Sequence, residues 1–162
     1  MANTWLSTEE WFASLPTAYL SAGLILTDRA GRLLVVKPNY RDDGWSIPGG
    51  IVEHGEPPHV AASREVAEEL GLHIPAGDLL VADWVAPAGE RPRAITTYLF
   101  DGGTVEDPGA IRLQEEELDA AEFVSWAEAE ARMPAHTAAR VPAARQARDT
   151  GRTVYLPAWP GR

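Results

Sequence analysis

The sequence contains no cysteine. Disulfide bonds, cysteine-ligated metal sites and cysteine nucleophiles are therefore excluded. No basic segment precedes an apolar run at the N-terminus, and no stretch approaches the roughly 20 apolar residues that a membrane helix needs. We therefore expect a cytoplasmic protein without a membrane partner.

Two common catalytic patterns are also missing. The chain has no Gly-x-Ser-x-Gly turn, and Ser63 has no neighbouring base in the sequence, which argues against a serine nucleophile. His54, His59 and His73 do not show the His-Glu-x-x-His spacing of many zinc enzymes, so we expect solvated imidazoles. The chemistry must be sought in other side chains.

The composition fits one globular domain over residues 1–162, with 45% apolar and 23% charged residues. The net charge of −10 argues against binding to duplex DNA, which clustered Lys and Arg side chains would hold. Residues 132–162 nevertheless carry six Arg and one Asp, a local balance of +5. This basic region predicts a solvated helix face, or alternatively a contact with an acidic partner or with a second subunit in a homodimer.

Local patterns predict the elements of an α/β protein. Ser7 and Glu10 form a capping-box pattern, which predicts a short helix over residues 8–14 that carries Trp11, Phe12 and Leu15 inward. β-rich runs and turn signals predict two hairpins, 19–27 with 33–37 and 79–86 with 94–100, and strands over 45–50 and 122–126. A helical region is expected over about 127–150, with one piece over 127–133 and a second over 137–148. Pro142 is expected to end or kink the second piece, and Gly151 to end the region. An extended segment over 154–156 and a loose tail over 157–162 are expected to follow.

The most informative stretch is residues 50–72. Glu56 precedes two prolines, which predicts a helix start, and Gly71 predicts its end. At about 100° per residue, one face of this helix carries the charged side chains Arg64, Glu65, Glu68 and Glu69. The opposite arc is mostly apolar: Val60, Ser63, Val66, Ala67 and Leu70. The helix is therefore expected to pack on a sheet with one side and to present the charges on the other.

Three carboxylates on one arc repel each other by a few tenths of a kcal/mol per i,i+4 pair, unless a cation lies among them. Hard oxygen ligands suit Mg²⁺ or Mn²⁺. An isolated cluster of this kind would indicate only a solvated acidic face. Here it stands within the order G-x5-E-x7-R-E-U-x-E-E-x-G-U, where U is aliphatic, and residues 50–72 match every defining position. This segment resembles the signature of the Nudix hydrolases.

The resemblance implies a Nudix-type α/β/α sandwich with a central mixed β-sheet. It further implies that Glu65, Glu68 and Glu69 bind Mg²⁺ or Mn²⁺, and that Gly49 adds a carbonyl oxygen. Arg64 is expected to pair with Glu56 or Glu65 and to hold the shape of the site. The general base would be one of these carboxylates or a distant Glu.

Nudix hydrolases often recruit a further Glu from beyond this segment, at no fixed spacing. Residues 115–117 are three consecutive acids after a Gly- and Pro-containing loop. We take Glu116 as the candidate catalytic residue among them, and a solvated turn as the alternative.

The implied activity is hydrolysis of a nucleoside diphosphate linked to another group X, a small nucleotide-derived substrate. Pro87 lies fifteen residues beyond Leu72, a position where proline is a mark of ADP-ribose pyrophosphatases in this family. A nucleoside triphosphate or a dinucleoside polyphosphate is the alternative substrate. Arg91 and Arg93 are candidate ligands for a substrate phosphate, or alternatively solvated loop charges. Trp84, Tyr98 and Phe100 are candidates for stacking on a base, or alternatively for core packing.

Two hypotheses come from other functional classes. The same fold serves as a nucleotide-sensing module in some regulators, but those usually carry an added DNA-binding domain and can lose residues of the signature. A diphosphate isomerase would be expected to carry a catalytic cysteine, which this chain lacks. Metal-dependent release of a phosphorylated product would separate the hydrolase from both.

Overall fold

The computed structural model describes residues 5–40, 42 and 44–157. The helices and strands follow in this order: α1 (Thr8–Ser14), β1 (Ala18–Thr27), β2 (Leu33–Pro38), β3 (Gly49–Ile51), α2 (Pro58–Leu70), β4 (Leu79–Val85), β5 (Ala94–Thr104), β6 (Leu118–Val124), α3 (Trp126–Arg132), α4 (Arg140–Thr150) and β7 (Val154–Pro157). A short 3₁₀ turn, Pro108–Ala110, lies between β5 and β6. None of the described helices has the length and hydrophobicity needed to cross a bilayer.

The seven described strands belong to one sheet of order β6-β2-β1-β5-β4-β7, and β3 pairs with the middle of β1. β1 pairs antiparallel with β2 and β3, and the pairs β2–β6 and β4–β5 are also antiparallel. β1 and β5 run parallel, as do β4 and β7. Both predicted hairpins are present, and the prediction of a mixed sheet is confirmed.

Alternate side chains of β1 enter two separate cores, because successive residues of a strand point to opposite faces. Leu24 and Leu26 pack with Val66 and Leu70 of α2. Ile25 points to the other face, where α3 and α4 contribute a row of small and branched side chains: Ala129, Val141, Ala143, Ala144 and Ala147. The predicted α/β/α sandwich is confirmed, and among the described helices α2 packs on the face that carries the signature segment.

Helix α1 begins as predicted but does not pack as predicted. The Ser7 hydroxyl accepts the Glu10 N–H at 3.2 Å, and the Glu10 carboxylate accepts the Ser7 N–H at 2.8 Å. Trp11 and Phe12 are nevertheless 50% and 61% exposed, and Leu15 is also exposed. The expectation that these side chains face inward was wrong, because a capping box fixes where a helix begins and not what it contacts, and the faces of the sheet are covered by the later helices.

The C-terminal helices also differ in detail from the prediction. α4 begins at Arg140, so Pro142 lies in its first turn, where a backbone N–H has no partner within the helix. Pro142 therefore neither ends nor kinks the helix, contrary to the prediction. Gly151 ends α4 in the left-handed conformation, as predicted. Residues 154–156 belong to the edge strand β7, and 158–162, most of the expected loose tail, lie outside the described residues.

The basic region is not simply a solvated helix face. Arg132 pairs with Glu122 and Glu128, while Arg140 and Arg148 pair with acidic residues of the sheet. The expectation of a solvated face was therefore wrong for Arg140 and Arg148, because α4 packs against strands that themselves carry aspartates. Arg132 lies on α3, and its two partners are about half exposed. Arg145 and Arg152 are exposed.

Candidate active site

Helix α2 is positioned by its two ends and its apolar side. Pro57 and Pro58 begin it, and Gly71 ends it in the left-handed conformation. Ala62 and Val66 are fully buried against the sheet, which leaves the opposite side of the helix to the charged residues. This is the arrangement that the sequence predicts for residues 50–72.

The Arg64 guanidinium holds the acidic side chains around one point. Its Nε and Nη2 atoms donate to the two oxygens of Glu56, each at 3.0 Å. Its Nη1 atom donates to Glu65 and to Glu68, each at 2.9 Å, and Nη2 also donates to the Ile51 carbonyl at 3.1 Å. The hydrogen bonds from Arg64 lower the pKa of Glu56. Arg64 therefore joins α2 to β3 and to the loop before the helix.

Glu69 is the buried acid of the site, with only 6% of its surface exposed. Its Oε2 atom accepts the Gly49 N–H at 2.9 Å. Burial, together with the neighbouring charges of Glu65, Glu117 and Glu68, raises the pKa of Glu69 to about 8 against the opposing effect of that hydrogen bond. The carboxyl group consequently lies in an environment that favours a proton or a cation next to it.

Gly50 lies directly against the Glu65 carboxylate, so that a Cβ at position 50 would overlap the Glu65 oxygens. Gly49 has a φ of +145°, and a side chain there would collide with the backbone of β1. Burial raises the pKa of Glu65, and the Arg64 guanidinium opposes this shift. The two glycines thus bring the backbone of β3 into contact with both Glu65 and Glu69.

The loop before β6 brings a further acid to this cluster. The N–H groups of Arg112 and Gln114 donate to the carbonyls of Leu70 and Glu69, at 2.8 and 3.0 Å, and so tie the loop to the end of α2. Of the three consecutive acids, Glu117 is the one whose charge raises the pKa of both Glu65 and Glu69. Glu116 was the predicted candidate among these three acids, and its catalytic role stays a prediction.

The donor set fits a hard divalent cation. Glu65, Glu68 and Glu69 supply carboxylate oxygens only, and after burial the neighbouring acidic charges contribute to the raised pKa of Glu65 and Glu69. Among the described residues, no three Asp, Glu or His side chains are already grouped as a metal site. Arg64 engages one oxygen each of Glu65 and Glu68, and the Gly49 N–H engages one oxygen of Glu69, so that each carboxylate has a second oxygen that could bind an ion.

The two loop arginines have different surroundings. Arg91 donates to the carbonyls of Ala86 and Arg93, both at 2.6 Å, and so holds the shape of its own loop. Arg93 stacks over the Tyr19 ring at 5.8 Å and lines a groove of about 790 Å³ that also contacts Glu56. Both remain predicted phosphate ligands, and only the Arg93 side chain lies in that groove.

Two of the candidates for stacking on a base, Phe100 and Trp84, also have different surroundings. Phe100 packs in the core beneath α2, next to the His59 ring, while Trp84 lies on β4 with 37% of its surface exposed.

A second cavity of about 240 Å³ lies on the other side of β3, between β1, β5 and the start of α4. Arg140, which lines this cavity, forms an ion pair with Asp83 that no sequence motif indicates.

We expect the metal-free protein to lose stability as the pH rises through the titration range of Glu69. The pKa of this group is about 8 in the folded protein and 4.5 ordinarily. The folded state therefore binds the proton more tightly, and this contribution is full below pH 4.5 and lost as the pH approaches 8. Urea unfolding in chelator should show a decrease of a few kcal/mol in the free energy of unfolding over that range. An equally steep decrease in Glu69→Gln would contradict this assignment.

Comparison with known proteins shows which family and which relatives this chain matches. A family model described as NUDIX domain matches residues 18–146. An RNA pyrophosphohydrolase of Gluconobacter oxydans is 33% identical over 117 residues, which cover 65% of this chain and 68% of that protein. An ADP-ribose pyrophosphatase of Mycobacterium tuberculosis is 36% identical over 76 residues, 46% of this chain and 35% of that protein. Several curated relatives are matched over only 28% to 35% of their length.

Among solved structures, the MutT protein from Methanosarcina mazei Go1 superimposes with a TM-score of 0.71 at 21% identity, covering 85% of this chain and all of that one. At this identity the likeness shows the shared fold. It agrees with the mixed sheet and the helix placement described above.

Proposed function

Since this chain belongs to the NUDIX domain family, we propose that it hydrolyses the diphosphate bond of a nucleoside diphosphate linked to a second group X, with water as the nucleophile. The observation that carries the proposal is the acidic face of α2. Glu65 and Glu68 accept hydrogen bonds from Arg64, Glu69 accepts the Gly49 N–H, and Gly50 lies against the Glu65 carboxylate. This arrangement concentrates oxygen ligands for a divalent ion, and Glu56, which Arg64 ties to these carboxylates, lines the neighbouring groove of about 790 Å³.

Glu65, Glu68, Glu69 and the carbonyl of Gly49 are the groups that would hold the ion. The chemistry that Mg²⁺ or Mn²⁺ supplies when bound is neutralisation of the diphosphate charge and activation of water. Arg64 acts as a positioning residue, because its five hydrogen bonds fix Glu56, Glu65 and Glu68 relative to β3. Arg93 would bind a substrate phosphate from the wall of the groove.

A carboxylate that is not committed to the ion is the better acceptor for the proton of water, because metal coordination lowers the basicity of a ligand. Glu117 meets this condition. It lies outside α2, it is exposed, and its charge reaches Glu65 and Glu69. We therefore assign the general base to Glu117, in place of Glu116 from the same run of acids.

The variants Glu117→Gln and Glu116→Gln form a matched pair, because they are adjacent in the chain and change charge equally. We expect Glu117→Gln to lower kcat at least about tenfold with little change in KM, as for a group that acts mainly in the transition state. Glu116→Gln should turn over near the wild-type rate. If Glu116→Gln lowers kcat and Glu117→Gln does not, the general base is Glu116. If both variants turn over at the wild-type rate, the loop is only a solvated turn.

ADP-ribose is the substrate that we propose first. Pro87 and the similarity to an ADP-ribose pyrophosphatase support it. Nucleoside triphosphates and dinucleoside polyphosphates are the alternatives, since other relatives are named RNA pyrophosphohydrolase. A panel of ADP-ribose, nucleoside triphosphates, dinucleoside polyphosphates and nucleotide sugars with Mg²⁺ or Mn²⁺ tests this order. AMP and ribose phosphate as the main products would support ADP-ribose as the preferred substrate. Faster release of inorganic diphosphate from triphosphates would make a nucleoside triphosphate the preferred substrate instead. No turnover on any compound would favour a nucleotide-sensing module.

A further inference from the structure

Helix α4 carries two arginines, Arg140 and Arg148, eight positions apart on the side that faces the sheet. Arg140 Nε donates to Asp83 of β4 at 2.8 Å, and Arg148 Nη2 donates to Asp101 of β5 at 2.5 Å. The two arginine side chains are 16% and 18% exposed. The two ion pairs thus fasten the same helix to the same sheet at similar burial.

The two guanidinium groups differ in how many of their donors are used. All three nitrogens of Arg148 donate: Nε to Asp101, Nη1 to Thr27, and Nη2 to Asp101 and to the carbonyls of Ile25 and Gly103. Arg140 donates from Nε to Asp83 and from Nη2 to the Thr97 hydroxyl at 3.0 Å. Within the described part of the chain, no hydrogen bond joins Arg140 Nη1 to another residue. A guanidinium carries five N–H groups, so about three remain available on Arg140.

The available donors belong to a residue that lines a cavity. The polar lining of the 240 Å³ cavity includes Arg140, Thr97 and Ser21, and the Ser21 and Thr97 hydroxyls are hydrogen-bonded at 2.7 Å. Tyr40, Ser46 and Thr137 are also polar residues of this lining. Apolar side chains form other parts of it: Ile47, Leu99 and Met133. Gly49 and Gly50 also line the cavity, so it adjoins the acidic cluster across β3.

The lining indicates the chemistry of the ligand. The Asp83 carboxylate already balances the Arg140 charge, which disfavours a phosphate, while apolar walls next to N–H donors fit a flat ring with acceptor atoms on its edge. Arginine donors pair well with carbonyl oxygens and ring nitrogens of nucleobases. The volume lies below the roughly 300–1,000 Å³ of sites for larger ligands, so it suits one ring system and not a whole nucleotide.

We propose that Arg140 is a specificity-determining residue, which selects the nucleobase of the substrate by donating hydrogen bonds to acceptor atoms on the edge of the base. Thr97 orients the guanidinium, and Asp83 balances its charge. This inference rests on the proposed function in one respect, because it takes the nucleoside part of the substrate to enter this cavity while the diphosphate lies at the acidic cluster on the other side of β3.

The test compares Arg140→Lys with Arg148→Lys. Lysine keeps the charge that the buried aspartate requires but lacks the planar fork of donors, so both variants should fold. Two readouts are needed: kcat/KM for four nucleoside triphosphates that differ only in their base, and calorimetric binding of AMP, GMP, CMP and UMP. We expect the wild type and Arg148→Lys to prefer one base by about tenfold to a hundredfold, and Arg140→Lys to bring the four bases within about threefold.

Thr97→Val provides a second variant that leaves the ion pair intact, and it should weaken the preference without removing it. The proposal is overturned if Arg140→Lys keeps the wild-type preference in both readouts, because Arg140 would then act only as a tie between α4 and the sheet. The proposal is also overturned if the wild type shows no preference among the four bases in either kcat/KM or binding. If hydrolysis is absent but base-selective binding is present and depends on Arg140, the proposed function fails and this inference stands.

Discussion

Replacing Glu69 by glutamine is expected to lower kcat by about a hundredfold or more without loss of the fold. The amide has nearly the shape of the carboxylate and can still accept the Gly49 N–H, so the contact between α2 and β3 is preserved. It lacks the negative charge that a divalent ion requires at this buried position. Glu68→Gln should cause a loss of similar size, although Glu68 is about half exposed.

The measurement is a steady-state rate with Mg²⁺, accompanied by a thermal melt to verify folding. Glu130→Gln is the matched control, because Glu130 is an exposed acid on a helix of the opposite face and lies outside the proposed site. It should turn over at the wild-type rate. A folded Glu69→Gln protein at the wild-type rate would remove Glu69 from the catalytic site.

Removal of divalent ions is expected to abolish turnover, and addition of Mg²⁺ or Mn²⁺ should restore it. Burial raises the pKa of Glu65 and Glu69, and neighbouring acids raise it further. Bringing the carboxylates together around a diphosphate, itself an anion, requires positive charge beyond that of Arg64. Dialysis against chelator followed by titration with each ion would test this expectation, and full turnover in excess chelator would refute it.

The same titration has a readout that does not depend on activity. An ion that binds only the folded state stabilises it by about 2.7 kcal/mol at a hundredfold excess over Kd. The melting temperature of the wild type should therefore rise with Mg²⁺ or Mn²⁺, whereas Glu69→Gln should respond much less. Equal responses of the two proteins would place the ion elsewhere.

The elements with local signals were predictable from the sequence. The bounds of α2 follow from Pro57, Pro58 and Gly71, and its two faces follow from helical periodicity. The turn between β1 and β2 and the bounds of their hairpin follow from Asp28 and Gly31 in the same way. In each case the signal lies within a few residues of the structure that it specifies.

The contacts that depend on tertiary structure were not predictable. The capping box of α1 places the helix but says nothing of Trp11 and Phe12, which are exposed. Pro142 looks like a helix breaker until the helix start at Arg140 is known. The partners of Arg140 and Arg148 lie on strands far away in the sequence, and no local pattern relates them to α4.

The candidate site also combines features that were predictable from the sequence with features that depend on tertiary contacts. The pairing of Arg64 with Glu56 or Glu65 was predicted from the signature, and the structure shows both pairs together with a third to Glu68. The choice among the three acids before β6 depends on how the loop is tied to α2. The hydrogen bonds from Arg112 and Gln114 to the end of α2 set that geometry, and the sequence offers no spacing rule for it.

The central claim, that this chain splits a diphosphate with water, is tested most directly by hydrolysis in water labelled with heavy oxygen. ADP-ribose and a nucleoside triphosphate would be incubated with the protein and Mg²⁺, and the products analysed by mass spectrometry. The account predicts one labelled oxygen on a phosphate of a product, with no label incorporated by Glu69→Gln in the same time. Absence of labelled product from both substrates in the presence of Mg²⁺ and Mn²⁺, or equal labelling by wild type and Glu69→Gln, would contradict it.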